Sequence, residues 1–262
     1  MKYIRPKRKG FLCYIGICDR WKPGAPFYSE NMCARYTLTK KEKDLLKAYE
    51  VKLPNDYAPN FNLAPTQNGL VITADVPDTA QQMHFGLVPH WAESVKLNFS
   101  TLNSRSEEAA GNRTWSPLLK HHKTCLVLAD GFYEWDRKSG ASIPYRFTIT
   151  DREVFAFAGL WSQWQSKLTG ELYRSFTIMT TNSNSTVGKV HDPKFRMPVI
   201  LDKNEEALWL SKDLSIPDLL SLCNPYPDDL MRSTQVSTKV NSTVINKVHN
   251  NHPDLILPLN SL

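Results

Sequence analysis

Residues 124–135 of the chain read TCLVLADGFYEW, and the fold can be built outward from this run. Its first six residues are apolar or β-branched, which predicts a buried strand over 124–129. Asp130 and Gly131 are typical turn residues, so the chain is expected to change direction there. A second β-type segment then carries Glu134 among large apolar side chains. If Glu134 faces inward, desolvation raises its pKa toward the range useful for proton transfer. The alternative is that it faces water beside a hairpin.

The segments on either side of this run predict a mixed domain. Thr39 and Glu42 are spaced as in a capping box, which predicts a helix opening at Thr39. Pro54, Pro59 and Pro65 predict an irregular, extended segment. Further strands are expected at 69–74, 83–88, 145–150, 154–160, 175–181 and 235–240, and short helices at 201–210 and 216–222. The predicted fold class is α+β: a single mixed domain with a curved, barrel-like β-sheet and flanking helices.

Length and charge narrow the classes of partner. The chain has 262 residues, 41% hydrophobic and 22% charged, which is enough to bury a sizeable core. The formal net charge is +6, but residues 1–31 hold seven of the 32 Lys and Arg and only two of the 26 Asp and Glu. Residues 32–262 are therefore nearly neutral overall. This argues against a broad, positively charged surface for DNA but is compatible with a local basic groove. No apolar run is long enough to span a bilayer, so no membrane partner is expected.

The composition of the chain changes at Met32, from a strongly basic segment before it to a nearly neutral one after it. Residues 1–31 are expected to be a disordered leader or sequence upstream of the true start, and 32–262 to form the domain. If translation begins at Met32, removal of that residue leaves Cys33 as the amino terminus, with an amine and a thiol on adjacent carbons. The leader's short apolar stretch, 11–18, has no small-x-small cleavage site, which argues against a secretory signal.

The cysteines and histidines indicate the compartment and the cofactors. The five cysteines are odd in number, widely spaced and lack a C-x-x-C pair, which argues against a disulfide framework and a zinc knuckle. A reducing, cytoplasmic location is expected. The seven histidines show no metal-ligand spacing, and the chain has no glycine-rich phosphate loop. The sequence therefore predicts no metal and no cofactor.

A polar cluster lies at 103–107, NSRSE. In an extended segment Asn103, Arg105 and Glu107 would project from one face. Arg105 could then clamp a phosphate, and Asn103 could orient an amine or a sugar oxygen. The alternative is a surface turn that caps a helix beginning near Glu107.

Two other features could serve a reaction on nucleic acid. His191, followed by Asp192, titrates near neutrality and could shuttle protons, with Arg196 able to bind phosphate. The alternative is a structural, hydrogen-bonding histidine. Trp91 and Trp135 could stack on bases. With seven tryptophans in the chain, most must pack in the core instead.

Taken in order, these motifs resemble those of the SRAP family, the SOS response-associated peptidases or abasic-site processing proteins, over about residues 32–262. The residues that carry the resemblance are Met32-Cys33-x-Arg35, Asn62-x-Ala64-Pro65, Phe85-Gly86-x-x-Pro89-x-Trp91, Asn103-x-Arg105-x-Glu107, Asp130-Gly131-Phe132-Tyr133-Glu134-Trp135, and His191-Asp192 with Arg196-x-Pro198. Pro193, Lys194 and Phe195 separate Asp192 from Arg196, where many relatives are shorter.

The resemblance implies a role for each matched position. Cys33 corresponds to the family's nucleophile, and Asn103, Glu134 and His191 correspond to its active-site residues. The positions expected to hold DNA phosphates are Arg35, Arg105 and Arg196, and the aromatic positions near the DNA are Trp91 and Trp135. A single α+β domain acting as a monomer, without metal or small-molecule cofactor, is the implied form.

The implied activity is covalent capture of abasic sites in single-stranded DNA in the DNA damage (SOS) response. The amine of an N-terminal Cys33 adds to the sugar aldehyde as a Schiff base, and the thiol closes a thiazolidine. The expected location is cytoplasmic, on the nucleoid in a bacterium. One alternative is a cysteine-type (auto)peptidase that removes residues up to Met32. Another is a passive single-stranded nucleic-acid binder, whose binding would be reversible and salt-sensitive.

Overall fold

The structure, a computed structural model, describes residues 33–245 and 248–259. The predicted leader, residues 1–31, and Met32 lie outside the described residues, so the predicted domain boundary stays a prediction. Within the described ranges, no helix is both long enough and apolar enough to cross a membrane.

The described ranges contain short helices and mostly antiparallel strands. The strands are β1 (Tyr36–Leu38), β2 (Asn60–Leu63), β3 (Asn68–Thr73), β4 (Val76–Phe85), β5 (Asn103–Arg105), β6 (Thr124–Ala129), β7 (Gly131–Asp136), β8 (Ile143–Ile149), β9 (Phe155–Gln165), β10 (Leu172–Asn182), β11 (Arg196–Pro198), β12 (Ile200–Leu201), β13 (Met231–Gln235), β14 (Val244–Ile245) and β15 (Val248–His249). The helices are α1 (Glu42–Tyr49), α2 (Ser106–Ala109), α3 (Ser116–Lys120), α4 (Ser185–Gly188), α5 (Lys203–Leu210) and α6 (Ile216–Ser221), with 3₁₀ turns at Thr238–Asn241 and Pro253–Ile256.

Five of these strands close into a barrel. The pairings run from β10 to β4, β3, β6, β9 and back to β10, and only the β10–β4 pair among them is parallel. β5 and β11 extend the barrel from β10, and β12 extends it from β9. Buried aromatic side chains fill its core, among them Phe85, Phe157 and Phe176. The predicted α+β fold with a barrel-like sheet is confirmed.

A second, antiparallel sheet has the strand order β13-β8-β7-β1-β2. The chain enters it from the barrel at Asp130, where β6 ends and β7 begins. The predicted change of direction at Asp130 and Gly131 is thus a passage between two sheets. A Cβ atom on Gly131 would lie 2.7 Å from Nε of Arg146, so any larger residue there would displace that guanidinium.

The passage between the sheets is fixed by the buried carboxylate of Asp130. Its Oδ1 accepts from the Thr37 hydroxyl at 2.5 Å and from Nη2 of Arg146 at 3.1 Å. Its Oδ2 accepts from the backbone N–H of Thr39 at 2.6 Å and from the Thr39 hydroxyl at 2.5 Å. These bonds attach β1 and β8 to the end of β6, and a buried charge is stable only when it is satisfied in this way.

The same network corrects the predicted start of the first helix. α1 begins at Glu42 with Lys41 as its N-cap, not at Thr39. Thr39 instead donates both its N–H and its hydroxyl to Asp130, which holds it at the end of β6, two residues before the N-cap. A long-range contact has therefore displaced a local capping preference.

Two other predicted segments differ from the structure. Most of the remaining helices and strands are found with bounds shifted by a few residues, but the strand expected at 83–88 is the end of a longer strand, β4, which begins at Val76 and stops at Phe85. The strand expected at 235–240 is wrong, because Ser237 accepts from the backbone of Lys239 and caps a 3₁₀ turn there. The segment between the prolines is not wholly irregular. Asn60–Leu63 forms β2, because it pairs with β1.

We expect Asp130→Ala to destabilise the fold by about 3–5 kcal/mol, because it leaves the largely buried guanidinium of Arg146 without its partner. Urea unfolding monitored by circular dichroism measures this change. The matched control is Glu153→Ala, which removes an exposed ion pair with Lys40 and should change stability little. Equal unfolding midpoints for Asp130→Ala and the control would contradict this account of the passage.

Candidate active site

Cys33 lies just before β1, and the register of β1 carries it to Glu134. Tyr36 is paired with Phe132 in antiparallel register, so the residues before β1 run alongside the residues after Phe132. The backbone nitrogen of Cys33 donates to Oε1 of Glu134 at 2.9 Å. The residue is buried and has a left-handed backbone with φ of 46°. The nitrogen that would become the α-amine is therefore already in contact with a carboxylate.

Glu134 is a buried carboxylate on β7, with 2% of its surface exposed. Burial raises its pKa, while the nearby His191 and the hydrogen bond from Cys33 lower it in part. The predicted desolvation is confirmed, and the alternative of a solvated hairpin glutamate is excluded. Burial and the charge of Glu134 also raise the pKa of the Cys33 thiol.

His191 follows α4 and is held in one orientation by the backbone. Its Nδ1 lies 2.8 Å from the carbonyl oxygen of Arg196, and because a carbonyl only accepts, Nδ1 carries a proton. Nε2 then faces Oε2 of Glu134 at 3.5 Å. A neutral imidazole presents a lone pair at Nε2, so the two side chains are placed to share one proton.

Cys33, Glu134 and His191 form one buried cluster. Their sulfur, carboxylate and imidazole atoms all lie within 4.8 Å of one another. The carbonyl of Arg196 organises the cluster, because it accepts from His191 and lies 3.9 Å from the Cys33 sulfur. The arrangement combines a nucleophile with an acid/base pair, and its atoms are also of the types that bind divalent metals.

Asn103, the fourth predicted active-site residue, lies on β5 opposite Ile178 of β10. Its side-chain nitrogen is buried and has no hydrogen-bond partner among the described residues. A buried donor without an acceptor costs free energy, and such groups concentrate at functional sites. No direct hydrogen bond joins Asn103 to the three-residue cluster within the described part of the chain.

Arg35 is a largely buried cation placed between the second sheet and the C-terminal segment. Its Nη1 donates to Oδ1 of Asn62 at 2.7 Å and to the carbonyl of Val240 at 2.9 Å. Burial lowers its pKa to about 10, so it remains charged at neutral pH. Among the described residues no carboxylate forms an ion pair with it. Asn62, which the sequence showed only as part of a motif, orients this arginine.

The two other predicted arginines differ in environment. Arg105 is exposed and makes a 3.1 Å ion pair with Glu108. Arg196 is buried, donates to Thr180, and is bound by both carboxylate oxygens of Glu107. The prediction that Glu107 projects with Arg105 from an extended face is wrong, because Glu107 lies in the first turn of α2. A role of either arginine in phosphate binding stays a prediction.

Trp91 and Trp135 have unequal access to solvent. Trp91 is 36% exposed, stacks on Phe99 with ring centroids 6.2 Å apart, and has the guanidinium of Arg113 4.5 Å from its own ring centroid. Trp135 is half-buried, and its indole N–H donates to Asn241 at 2.7 Å. The guanidinium carbons of Arg35 and Arg137 lie 5.5 and 5.9 Å from its ring centroid. Trp91 is thus the more exposed of the two, and stacking of either tryptophan on a base stays a prediction.

Two cations that act on the cluster were not among the residues predicted from the sequence. Arg137 acts electrostatically on Glu134, and Lys194 acts on the Cys33 thiol. With Arg35, these cations place positive charge near the cluster. The available signal was the basic pair that follows Asp136 at the end of the FYEW strand.

Comparison with known proteins matches this site to a family. Residues 32–243 match the profile of "SOS response associated peptidase (SRAP)". The abasic site processing protein YoqW of Bacillus subtilis is 37% identical over 232 residues, covering 86% of this chain and 99% of the relative. The abasic site processing protein HMCES of Xenopus tropicalis is 29% identical over 268 residues, covering 85% of this chain and 77% of the relative.

Solved structures agree with the sequence comparisons. A crystal structure of a protein from Bacteroides thetaiotaomicron is similar with a TM-score of 0.77 and 25% identity, covering 86% of this chain and 99% of that one. A crystal structure of a protein from Bordetella bronchiseptica has a TM-score of 0.69 and 26% identity over 78% of this chain and all of that one. The matched profile covers the barrel, the second sheet and the buried cluster, and the chain belongs to the SOS response associated peptidase (SRAP) family.

Proposed function

We propose that this chain, once residues 1–32 are removed, processes abasic sites in single-stranded DNA by forming a covalent thiazolidine link through Cys33. The observation that carries the proposal is the Cys33 nitrogen, held 2.9 Å from a buried carboxylate with the thiol on the adjacent carbon. The names of the Bacillus and Xenopus relatives, abasic site processing proteins, support the substrate class.

The first step is opening of the abasic sugar, which exists mostly as a cyclic hemiacetal. Opening takes a proton from the 1′-hydroxyl and delivers one to the ring oxygen. Glu134 and His191 lie 3.5 Å apart and are placed to share a single proton, so the pair can accept the first and donate the second. Burial raises the pKa of Glu134, which favours its protonated form relative to that of an exposed glutamate.

The second step joins protein and DNA. The neutral α-amine adds to the C1′ aldehyde, and the carbinol oxygen leaves as water after protonation by Glu134, which gives an imine. The Cys33 sulfur then bonds to the imine carbon, and its proton is transferred to the nitrogen. The result is a five-membered thiazolidine with release of one water, and no oxidant or reductant is consumed.

The surrounding charges and rings support binding of a single strand. Arg35, Arg137 and Lys194 place positive charge near the cluster, which suits the phosphates on either side of the lesion. The exposed pair of Trp91 and Phe99 offers a stacking surface to an unpaired base. We propose that the protein acts as a monomer in the cytoplasm, where DNA and a free thiol coexist, and that it needs no cofactor.

A protein beginning at Cys33 is expected to form a denaturation-resistant adduct with single-stranded DNA treated with uracil glycosylase. Cys33→Ala retains the amine but lacks the thiol, so its product is limited to a reversible imine and the stable adduct is lost. Denaturing gel electrophoresis after heating measures the adduct. Cys223→Ala, which removes a buried cysteine not joined to the cluster, is the matched control. Equal stable crosslinking by Cys33→Ala would overturn the proposal.

Glu134→Gln is expected to slow crosslinking by about 10²–10⁴-fold, because the amide keeps the shape of the side chain but cannot transfer a proton. Affinity for DNA that carries a stable abasic analogue should remain unchanged, which separates chemistry from binding. Single-turnover crosslinking rates and fluorescence anisotropy measure the two quantities. The remote, exposed Glu153→Gln serves as the control. A variant that crosslinks at the original rate would remove Glu134 from the mechanism.

A second candidate function is self-cleavage before Cys33, and the geometry of the same nitrogen favours it. The Cys33 sulfur can attack the preceding carbonyl carbon, forming a thioester as the C–N bond breaks. Glu134, 2.9 Å from that nitrogen, can deliver the proton it needs, and water then hydrolyses the thioester. The product is a free amine on Cys33, which is the form that the crosslinking reaction requires.

Self-cleavage predicts that purified full-length protein loses residues 1–32 on incubation, while the Cys33→Ala variant keeps them. Intact mass spectrometry follows the loss directly. Retention of the leader by the unsubstituted protein, or equal loss from the variant, would show that another enzyme or a later start site exposes Cys33.

A further inference from the structure

The buried cluster contains three side chains whose donor atoms suit a thiophilic divalent cation. The Cys33 sulfur, a Glu134 oxygen and a His191 nitrogen lie within 4.8 Å of one another. With bond lengths of about 2.0–2.3 Å, neighbouring ligand atoms of a tetrahedral zinc site are roughly 3.3–3.7 Å apart. The 3.5 Å distance from Nε2 of His191 to Oε2 of Glu134 already falls in that range.

The orientation of His191 is the one found for metal-bound histidines. Such residues donate the second ring N–H to a carbonyl or a carboxylate, which fixes the other nitrogen as the ligand. Nδ1 of His191 makes this bond to the carbonyl of Arg196 at 2.8 Å. Nε2 therefore points its lone pair toward Glu134 and the centre of the cluster.

A fourth ligand appears when Cys33 becomes the amino terminus. Its nitrogen lies 2.9 Å from Oε1 of Glu134 and so belongs to the same cluster. As an amide this nitrogen is a poor ligand, but as a free amine it forms a five-membered chelate ring with the thiolate on the adjacent carbon. The amine, thiolate, imidazole and carboxylate make a closed set of four.

Charge balance favours a divalent cation in this buried place. A thiolate and a carboxylate supply two negative charges, and burial disfavours them until a cation neutralises them. The guanidinium of Arg196 is paired with Glu107, which offsets part of its charge, but its charge still reaches the Cys33 thiol and opposes the cation in part. Lys194, whose charge reaches the thiol, also opposes it.

We propose that Zn²⁺, or a cation of the same class, binds the mature protein through the Cys33 amine and thiolate, His191 and Glu134, and blocks DNA crosslinking while bound. The blocking part rests on the proposed function. Metal binding and thiazolidine formation are mutually exclusive, because both use the lone pairs of the same nitrogen and sulfur. The sequence predicted no metal because its ligands come from three distant segments.

The test uses protein released from a cleavable fusion so that Cys33 is the first residue. A relative is matched over 99% of its length by 86% of this chain, so a family member of this reduced size exists as a whole protein. After treatment with chelator, the protein is titrated with Co²⁺ alone. We expect one ion per chain, a tetrahedral visible spectrum and a thiolate-to-cobalt charge-transfer band that Zn²⁺ abolishes. An octahedral spectrum without the charge-transfer band would overturn the metal site.

Variants assign the ligands. His191→Gln is expected to weaken Co²⁺ binding at least tenfold, and Cys33→Ser to remove the charge-transfer band. Exposed His252→Gln is the matched control and should bind as before. Protein that keeps residues 1–32 lacks the amine ligand and should bind at least tenfold more weakly. Equal affinity with the leader attached would exclude the amine, and unaltered binding by His191→Gln would overturn the four-ligand site.

Crosslinking assays separate this proposal from the one on which it rests. We expect saturating Zn²⁺ to slow adduct formation more than tenfold and chelator to restore it, and the crosslinked protein to bind no Co²⁺. Crosslinking at the same rate with metal bound would overturn the block and leave the proposed function intact. Metal binding without crosslinking in chelator would overturn the proposed function and leave the metal site standing.

Discussion

The carboxylate of Asp130 receives four hydrogen bonds at the point where the chain leaves the barrel for the second sheet. These bonds attach β1 and β8 to the end of β6, and the register between β1 and β7 then places Cys33 against Glu134. A charge buried this deeply is tolerated only when fully satisfied, so the network admits little variation in how the two sheets meet. The geometry of the cluster is a consequence of that constraint.

The chemistry of the cluster depends on the burial of its side chains as well as on their residue types. An exposed glutamate would be ionised and bound to water, whereas Glu134 has a raised pKa and lies close enough to His191 to share a proton. The carbonyl of Arg196 fixes the histidine tautomer, and the arginine's own charge is taken up by Glu107. Burial and one backbone carbonyl thus favour a protonated Glu134 and fix the tautomer of His191.

Two polar side chains of this region keep unused hydrogen-bonding capacity among the described residues, and this supports the proposed binding of DNA. The side-chain nitrogen of Asn103 is buried without an acceptor among the described residues, and Arg35 is held in place by an amide and a carbonyl. An acceptor-rich sugar-phosphate backbone supplies what both side chains need.

The sequence by itself determined the strand over 124–129, the α+β class, the near-neutrality of residues 32–262 and the residue types of the cluster, because these follow from local apolar patterns and composition. It misplaced the start of α1, where Thr39 is bonded to the distant Asp130, and it placed Glu107 in an extended segment although Glu107 lies in the first turn of α2. Only the tertiary structure decided that Cys33 meets Glu134 and Arg196, which are 101 and 163 residues away in sequence. The reason is that barrel closure and sheet register are cooperative, and no short window of sequence encodes them.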